Sequence, residues 1–371
     1  MKTSAYVVEE TDAPFMLEEL EIEDPTEGEV LVRVVGTGIC HTDLIARSGD
    51  MPLPLPGVMG HEGSGVVEKV GPGVEDVAVG DRVIMGWPYC GKCRNCRQGQ
   101  HRYCAELGSA VLSGRRFSGP KSGQSGYSRP GGGEVSGHFF GQSSFATYAL
   151  TTANSVVRID DEVDLTSAGV LACGITTGAG AIFNAAQPKP GESLVIFGVG
   201  AVGLSAVMAA KNTPATTIIA VDIHDSRLEL AAEYGATHTI NSKDEDAKAR
   251  IRQIVGGEVD HAVDCTGVIS VIEDAAEVVG MLGQLILVGG APAGATFSLD
   301  HMSILWGRRV VGTLGGGGTA HDLIPSLLQL NRQGRFPFDE LVRIYEFDQI
   351  DQAIEDSASG RTIKPVLRVG Q

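Results

Sequence analysis

Ser193-Leu194-Val195-Ile196-Phe197-Gly198-Val199-Gly200-Ala201-Val202-Gly203 is the stretch that decides the fold. Its first five residues are a mostly apolar run of strand length, and the six that follow match G-x-G-x-x-G. Alone that string is a weak signal, but here it ends a buried strand and opens a helix, which is the context the pattern requires. The first glycine then permits a tight turn, the second lets backbone approach a pyrophosphate, and the third lets helix and strand pack closely. The helix start offers unpaired N–H groups to the phosphates. Gly198, Gly200 and Gly203 are therefore candidate dinucleotide-binding residues.

Working outward, a helix is predicted from Ala201 to Lys211 and a strand over Thr217-Ile218-Ile219-Ala220-Val221-Asp222. A carboxylate at the end of that strand accepts from both ribose hydroxyls and repels a 2′-phosphate, so Asp222 implies NAD rather than NADP. The competing role for Asp222 is a helix cap. Arg227 falls either beside the adenosine or on a solvated helix face. Further strands at Asp260 to Asp264 and Gln284 to Val288 alternate with helices, giving an α/β, doubly wound parallel sheet of Rossmann type from about residue 175.

Before residue 150 the pattern is different. Short strands at Val30 to Val34, Gly65 to Val70 and Asp81 to Met85 are separated by Gly and Pro, which indicates a β-rich domain. The segment 108–137 is dominated by Gly and Ser, so it is expected to be an exposed excursion, either a plain loop or the wall of a cleft. After Gly315-Gly316-Gly317-Gly318 come a helix near Asp322 to Gln333, a strand near Leu341 to Ile344, and a tail ending Lys364-Pro365-Val366-Leu367-Arg368-Val369 that returns to the first domain. The expected domains are 1–174, 175–314 and a returning 315–371.

The chain has 371 residues and a formal net charge of −17, with no long basic run, so nucleic acid is not an expected partner. It shows no signal sequence and no stretch of membrane-spanning length, so a soluble, cytoplasmic protein is expected. Four of its seven cysteines, Cys90, Cys93, Cys96 and Cys104, follow C-x2-C-x2-C-x7-C. Thiols this close converge on one tetrahedral ion more easily than they form two unstrained disulfides. Four thiolates leave no open position, so this metal should fold the 90–104 lobe rather than do chemistry.

Cys40-His41-Thr42-Asp43, Gly60-His61-Glu62, Cys173-Gly174, the four-cysteine lobe and Val77-Ala78-Val79-Gly80-Asp81-Arg82-Val83 together resemble the medium-chain, zinc-dependent alcohol dehydrogenase family, from Val30 to Val369. The resemblance implies a GroES-like catalytic domain beside the Rossmann domain. It also implies a catalytic zinc on Cys40, His61 and Cys173. Two cysteines and one histidine are the set that holds the catalytic zinc in alcohol dehydrogenase. The resemblance further implies that Asp43 orients His61, that Glu62 stands behind the metal and ligates during exchange, and that Thr42 takes the alcohol proton. Thr177 is implied against the nicotinamide, with His41 and Arg361 on the pyrophosphate. Many members carry a histidine five residues after the first ligand; Ile45 stands there, so the proton's exit route is not given.

Within the family the chain is most similar to aryl-alcohol (benzyl alcohol) dehydrogenases and their allylic relatives, on His138-Phe139-Phe140-Gly141-Gln142-Ser143-Ser144-Phe145-Ala146, on Gly334-Arg335-Phe336-Pro337-Phe338-Asp339 and on Thr362-Ile363-Lys364-Pro365-Val366. Trp87 and Phe139 are candidate pocket walls, with core packing as the alternative. The implied reaction is reversible, NAD-dependent oxidation of a primary aromatic or allylic alcohol to the aldehyde, with two zincs per chain. The alternatives are a short-chain, terpene or thiol-adduct alcohol on the same fold, or a catalytically silent scaffold. Ile304-Leu305-Trp306 and Arg309-Val310-Val311-Gly312 match the region through which members pair, which implies a homo-oligomer, dimer or tetramer.

Overall fold

The computed structural model describes residues 1–370, which fall into two compact units. The first comprises Met1–Cys173, Thr319–Leu328 and Asp339–Gln371, of which Gln371 itself lies outside the described residues. The second comprises Gly174–Gly318 and Gln329–Phe338. Thus 329–338 leaves the returning tail and packs with the second unit, where the Asn212 side-chain amide donates to the Arg335 carbonyl at 2.9 Å and Phe336 is fully buried.

In the second unit six parallel strands lie in the order His238–Asn241, Thr217–Asp222, Ser193–Phe197, Val259–Asp264, Val279–Leu287 and Arg309–Gly312. Counted along the chain this is 3-2-1-4-5-6, the dinucleotide-binding order, whose direction reverses beside the Ser193–Phe197 strand. That strand is buried at all five positions because helices cover both faces of a parallel sheet. Val195 and Phe197 join Ile219, Val221 and Ile240 in one core, while Leu194 and Ile196 point to the other face. Each such side chain removed from water contributes roughly 1.5–3 kcal/mol. The following helix runs Ala201–Lys211, as its sequence implies.

The first unit is built from a five-stranded and a seven-stranded sheet. Its longest strand, Glu29–Gly38, pairs antiparallel with Gly63–Val70, Tyr148–Thr152 and the returning Lys364–Arg368. Alternation along it divides the interior: Leu31 faces one core, and Val30, Val32 and Val34 face another.

The expectation of an exposed 108–137 excursion is corrected. Tyr127–Ser128 and Glu134–Val135 extend the five-stranded sheet, and Val111, Arg116, Tyr127 and Val135 are buried. The segment has few apolar side chains, and these are joined by charge, with the buried Arg116 guanidinium donating to Glu29 and, at 2.7 Å, to Glu23. Hydropathy alone could not reveal an element anchored on a buried ion pair.

Candidate active site

Cys40 lies two residues past the Glu29–Gly38 strand and N-caps a short helix, His41–Arg47, which places Asp43 one turn behind it. Asp43 has no exposed surface. Its Oδ2 accepts from the Cys40 N–H at 2.9 Å, and its Oδ1 lies 3.1 Å from the Gly60 N–H and 2.9 Å from His61 Nδ1. One carboxylate therefore fixes two segments and one imidazole. Gln142, also fully buried, ties the far side of His61: its side-chain nitrogen donates to the carbonyls of His61 at 3.0 Å and Met85 at 2.8 Å, and its oxygen accepts from Gly63 N–H.

With Nδ1 committed to Asp43, the other imidazole nitrogen, Nε2, is buried and has no hydrogen-bond partner among the described residues. An orphaned buried nitrogen is costly unless something outside the chain satisfies it. It faces sulfur: the donor atoms of Cys40, His61, Glu62 and Cys173 all lie within 4.8 Å of one another. With Glu62 held by Lys364, the two sulfurs and the imidazole are the three donors of a tetrahedral zinc with an open fourth position, and the residues fit it. A hydrogen bond from Cys173 drives the Cys40 thiol well below its ordinary value and the Cys173 thiol well above. Burial disfavours the His61 imidazolium, but Asp43 and the Cys40 sulfur outweigh it and push His61 well up.

Glu62 is fully buried and its carboxylate meets Lys364 Nζ at 2.5 Å; Lys364 also donates to the Ile39 carbonyl. The tail cation brought to this centre is thus Lys364. Arg361, three residues earlier, is exposed and bound to Asp356 at 2.6 Å. Thr42 Oγ1 is 3.6 Å from Cys40 Sγ, while His41 is exposed at the helix start. Ile45 is on the same helix, half-buried.

Aromatic rings wall the centre. Phe139 is fully enclosed and edge-on to His61 at 5.6 Å, and Phe140 lies nearer, 4.7 Å from the imidazole, with Trp87 against it at 4.8 Å. Phe140 was not singled out from sequence. Its φ of +49° and that of His138, +59°, are left-handed and disfavoured for bulky side chains, so nothing local in the sequence announces this turn.

The second cluster is Cys90, Cys93, Cys96 and Cys104, whose sulfurs also lie within 4.8 Å of one another. None of the seven cysteines is in a disulfide. Backbone N–H groups of Cys93, Cys96, Ala105 and Glu106 point at the sulfurs at 3.4 to 3.5 Å. N–H bonds from Ala105 and Cys96 bring the Cys93 thiol down to about 6, toward the thiolate a metal needs. All four donors come from protein, which leaves no place for substrate.

In the second unit Gly198 has φ +80°, and a Cβ on Gly203 would stand 2.0 Å from the Gly198 carbonyl oxygen, so both positions require glycine. Gly200 differs: a Cβ there would meet nothing within 4 Å. Protein packing does not demand that glycine, and the open space before a helix whose N-terminus has no side-chain cap fits a pyrophosphate. Asp222 closes the loop from behind, with Oδ2 accepting from the Val199 N–H at 2.8 Å and Oδ1 from those of Ile223 and His224. Arg227 lies 3.8 Å from the same carboxylate, and Thr177 is half-buried on the helix Gly174–Gly180.

Residues 26–161 match the family of alcohol dehydrogenase GroES-like domains and residues 201–331 that of zinc-binding dehydrogenases. The chain belongs to the medium-chain, zinc-dependent alcohol dehydrogenases. Among its relatives is a geraniol dehydrogenase of Castellaniella defragrans, 39% identical over 99% of this chain and 98% of that one. An S-(hydroxymethyl)glutathione dehydrogenase of Synechocystis is 36% identical over 99% of this chain and all of the relative. The crystal structure of benzyl alcohol dehydrogenase from Acinetobacter calcoaceticus superposes with a TM-score of 0.95 at 44% identity, covering both chains in full. This medium-chain dehydrogenase is therefore an oxidoreductase of alcohols with zinc and NAD as cofactors. Among the described residues no single helix is long and apolar enough to cross a membrane.

Proposed function

We propose that this dehydrogenase oxidises primary benzylic or allylic alcohols reversibly to their aldehydes, prefers NAD to NADP, and holds its catalytic zinc on Cys40, His61 and Cys173. The observation that carries the substrate class is the aromatic wall, with the Phe140 ring 4.7 Å from a metal ligand and Trp87 stacked edge-on behind it. Aromatic faces favour a flat or unsaturated group over a short alkyl chain. The likeness to a benzyl alcohol and a geraniol dehydrogenase supports the same class.

When bound, zinc supplies Lewis acidity and NAD the hydride acceptor; bringing an oxygen acid from about 16 to about 7 is worth on the order of 12 kcal/mol. The chain's own residues orient and protect. Asp43 holds His61 by Nδ1 so that Nε2 faces the site, Thr42 offers a hydroxyl beside Cys40, and the buried rings keep water out. Lys364 holds Glu62 by its carboxylate, behind the ligands. In the second unit Asp222 sits where the adenosine ribose of a bound dinucleotide lies in this fold, and its charge disfavours a 2′-phosphate.

We also propose a homo-oligomer formed through the edge of the six-stranded sheet. Among the described residues strand Arg309–Gly312 has no neighbour on its outer side, and Leu282, Leu305 and Trp306 around it are 76%, 62% and 44% exposed. We also propose a cytoplasmic location, because an odd count of seven cysteines, four of them at metal-binding spacing, suits a reducing compartment.

Initial rates of NAD reduction with benzyl alcohol, geraniol, ethanol and S-(hydroxymethyl)glutathione, on protein of known zinc content, test the reading. Highest kcat/KM on the first two supports it. Preference for the glutathione adduct or ethanol moves the substrate and keeps the chemistry.

A further inference from the structure

Arg102 lies on the turn His101–Tyr103, between the lobe ligands Cys96 and Cys104, and is only 3% exposed. Among the described residues no carboxylate pairs with it; its partners are a backbone carbonyl and an aromatic ring. A buried cation without an anionic partner is costly, so its position needs another account. Two contacts give one. Its Nη2 donates to the carbonyl of Ala172 at 3.3 Å, the peptide just ahead of Cys173. Its planar group also lies over the Trp87 ring at 4.3 Å. Trp87 packs on Phe140 at 4.8 Å, and Phe140 on His61 at 4.7 Å.

From this one side chain, then, run a hydrogen bond to the backbone that delivers one ligand and an aromatic stack that ends on another. We propose that Arg102 is a positioning residue through which the four-cysteine lobe sets the geometry of the catalytic metal. The lobe fixes the turn that carries Arg102, and Arg102 fixes the peptide before Cys173 and, through Trp87 and Phe140, the ring of His61. The inference rests on the reading of Cys40, His61 and Cys173 as zinc ligands. It gives the closed metal site a consequence beyond folding its own loop. Lysine cannot substitute, because a point charge lacks the flat surface and the fork that reach Trp87 and Ala172 together.

The test uses the full-length holoenzyme with cobalt exchanged into the catalytic site, comparing the parent with Arg102→Met and Arg102→Lys. The expected result is a shift of the thiolate-to-cobalt and ligand-field absorption bands in both variants, with catalytic metal lost to excess dipicolinate at least tenfold faster and lobe metal retained. The fall in kcat should exceed any rise in KM. Should Arg102→Met fail to fold, Arg102→Lys, which keeps the cation and most of the volume, carries the same test. Parental spectra and parental metal loss in a folded variant overturn the inference while leaving the zinc reading intact. A parent that binds no metal at Cys40, His61 and Cys173 overturns both.

Discussion

Asp43 Oδ1 lies 2.9 Å from His61 Nδ1, and neither side chain has any exposed surface. The same carboxylate takes the N–H groups of Cys40 and Gly60, so its removal disturbs two ligand segments as well as the ring. Asp43→Asn keeps the shape but loses the charge and one acceptor position. Partners of this kind typically change metal affinity by about 10- to 100-fold. A competition titration of the catalytic site with a chelator should show that weakening, with the lobe metal unaffected. Unchanged affinity would mean that the carboxylate only packs.

The two cysteine sets should respond differently. Cys40→Ala removes a ligand from the open site and should reduce turnover by on the order of 1,000-fold or more, while thermal unfolding stays close to that of the parent. Cys93→Ala removes a sulfur that also receives N–H bonds from Cys96 and Ala105. It should lower the melting temperature and release the lobe zinc. Metal analysis beside calorimetry distinguishes them, and an active Cys40→Ala enzyme defeats the catalytic assignment.

What was legible from sequence follows the reach of each interaction. The strand Thr217–Asp222 and helix Ala201–Lys211 came out with the bounds read for them, because hydrophobic run and glycine punctuation are local. The two cysteine sets were legible from spacing in one case and from family resemblance in the other. Phe140, Gln142, Lys364 and Arg102 were not singled out. Each reaches the centre through contacts distant in sequence, such as Lys364 to Glu62, or through left-handed backbone that no residue pattern marks. The 108–137 segment was misread for a related reason: its few core residues are joined by the buried ion pair of Arg116 with Glu29, a contact distant in sequence.

Asp222 serves the glycine loop and, in the proposed reading, the ribose. Asp222→Asn retains an acceptor for the Val199 N–H but removes the charge that disfavours a phosphate. The expected outcome is a fall of roughly 10-fold or more in kcat/KM with NAD, about the loss of one charged hydrogen bond, and a narrower NAD over NADP ratio. Steady-state kinetics with both dinucleotides decides it, and an unchanged ratio removes Asp222 from the selectivity account.

His138 predicts an acid-sensitive fold. Burial first, and then the charge of Arg116, hold its imidazole down to about 3. Nδ1 donates to the Leu150 carbonyl at 3.1 Å while Nε2 accepts from the Gly126 N–H at 3.2 Å, an arrangement only the neutral ring can make. Because the folded value lies below the unfolded one near 6.5, the unfolded chain takes up a proton first. The contribution is fully present above about pH 6.5 and declines as pH falls toward 3, by at most about 1.4 kcal/mol per unit. His138→Asn, which tolerates the left-handed backbone at this position, should flatten that part of the stability curve between pH 6 and 4. Denaturant melts of parent and variant across this range measure it, and parallel curves would show that His138 contributes nothing to acid sensitivity.

Lys364 and Glu62 form an ion pair with almost no access to water, 4% and 0% for the two side chains, with a contact of 2.5 Å. Burial pushes the Glu62 carboxyl up and opposes the Lys364 ammonium, yet their mutual attraction keeps Lys364 charged. Breaking such a pair from one side costs about 3–5 kcal/mol because the remaining charge has no partner, whereas replacing both sides is far milder. Lys364→Met alone should therefore destabilise the first unit by that amount, and Lys364→Met with Glu62→Gln should recover most of it. A freed Glu62 carboxylate also stands among the donor atoms of Cys40, His61 and Cys173, so the single variant should exchange its catalytic metal faster than the double. Urea titrations combined with chelator-driven metal loss on all three variants test both statements, and equal destabilisation by the single and double replacements would show that the pair is not coupled.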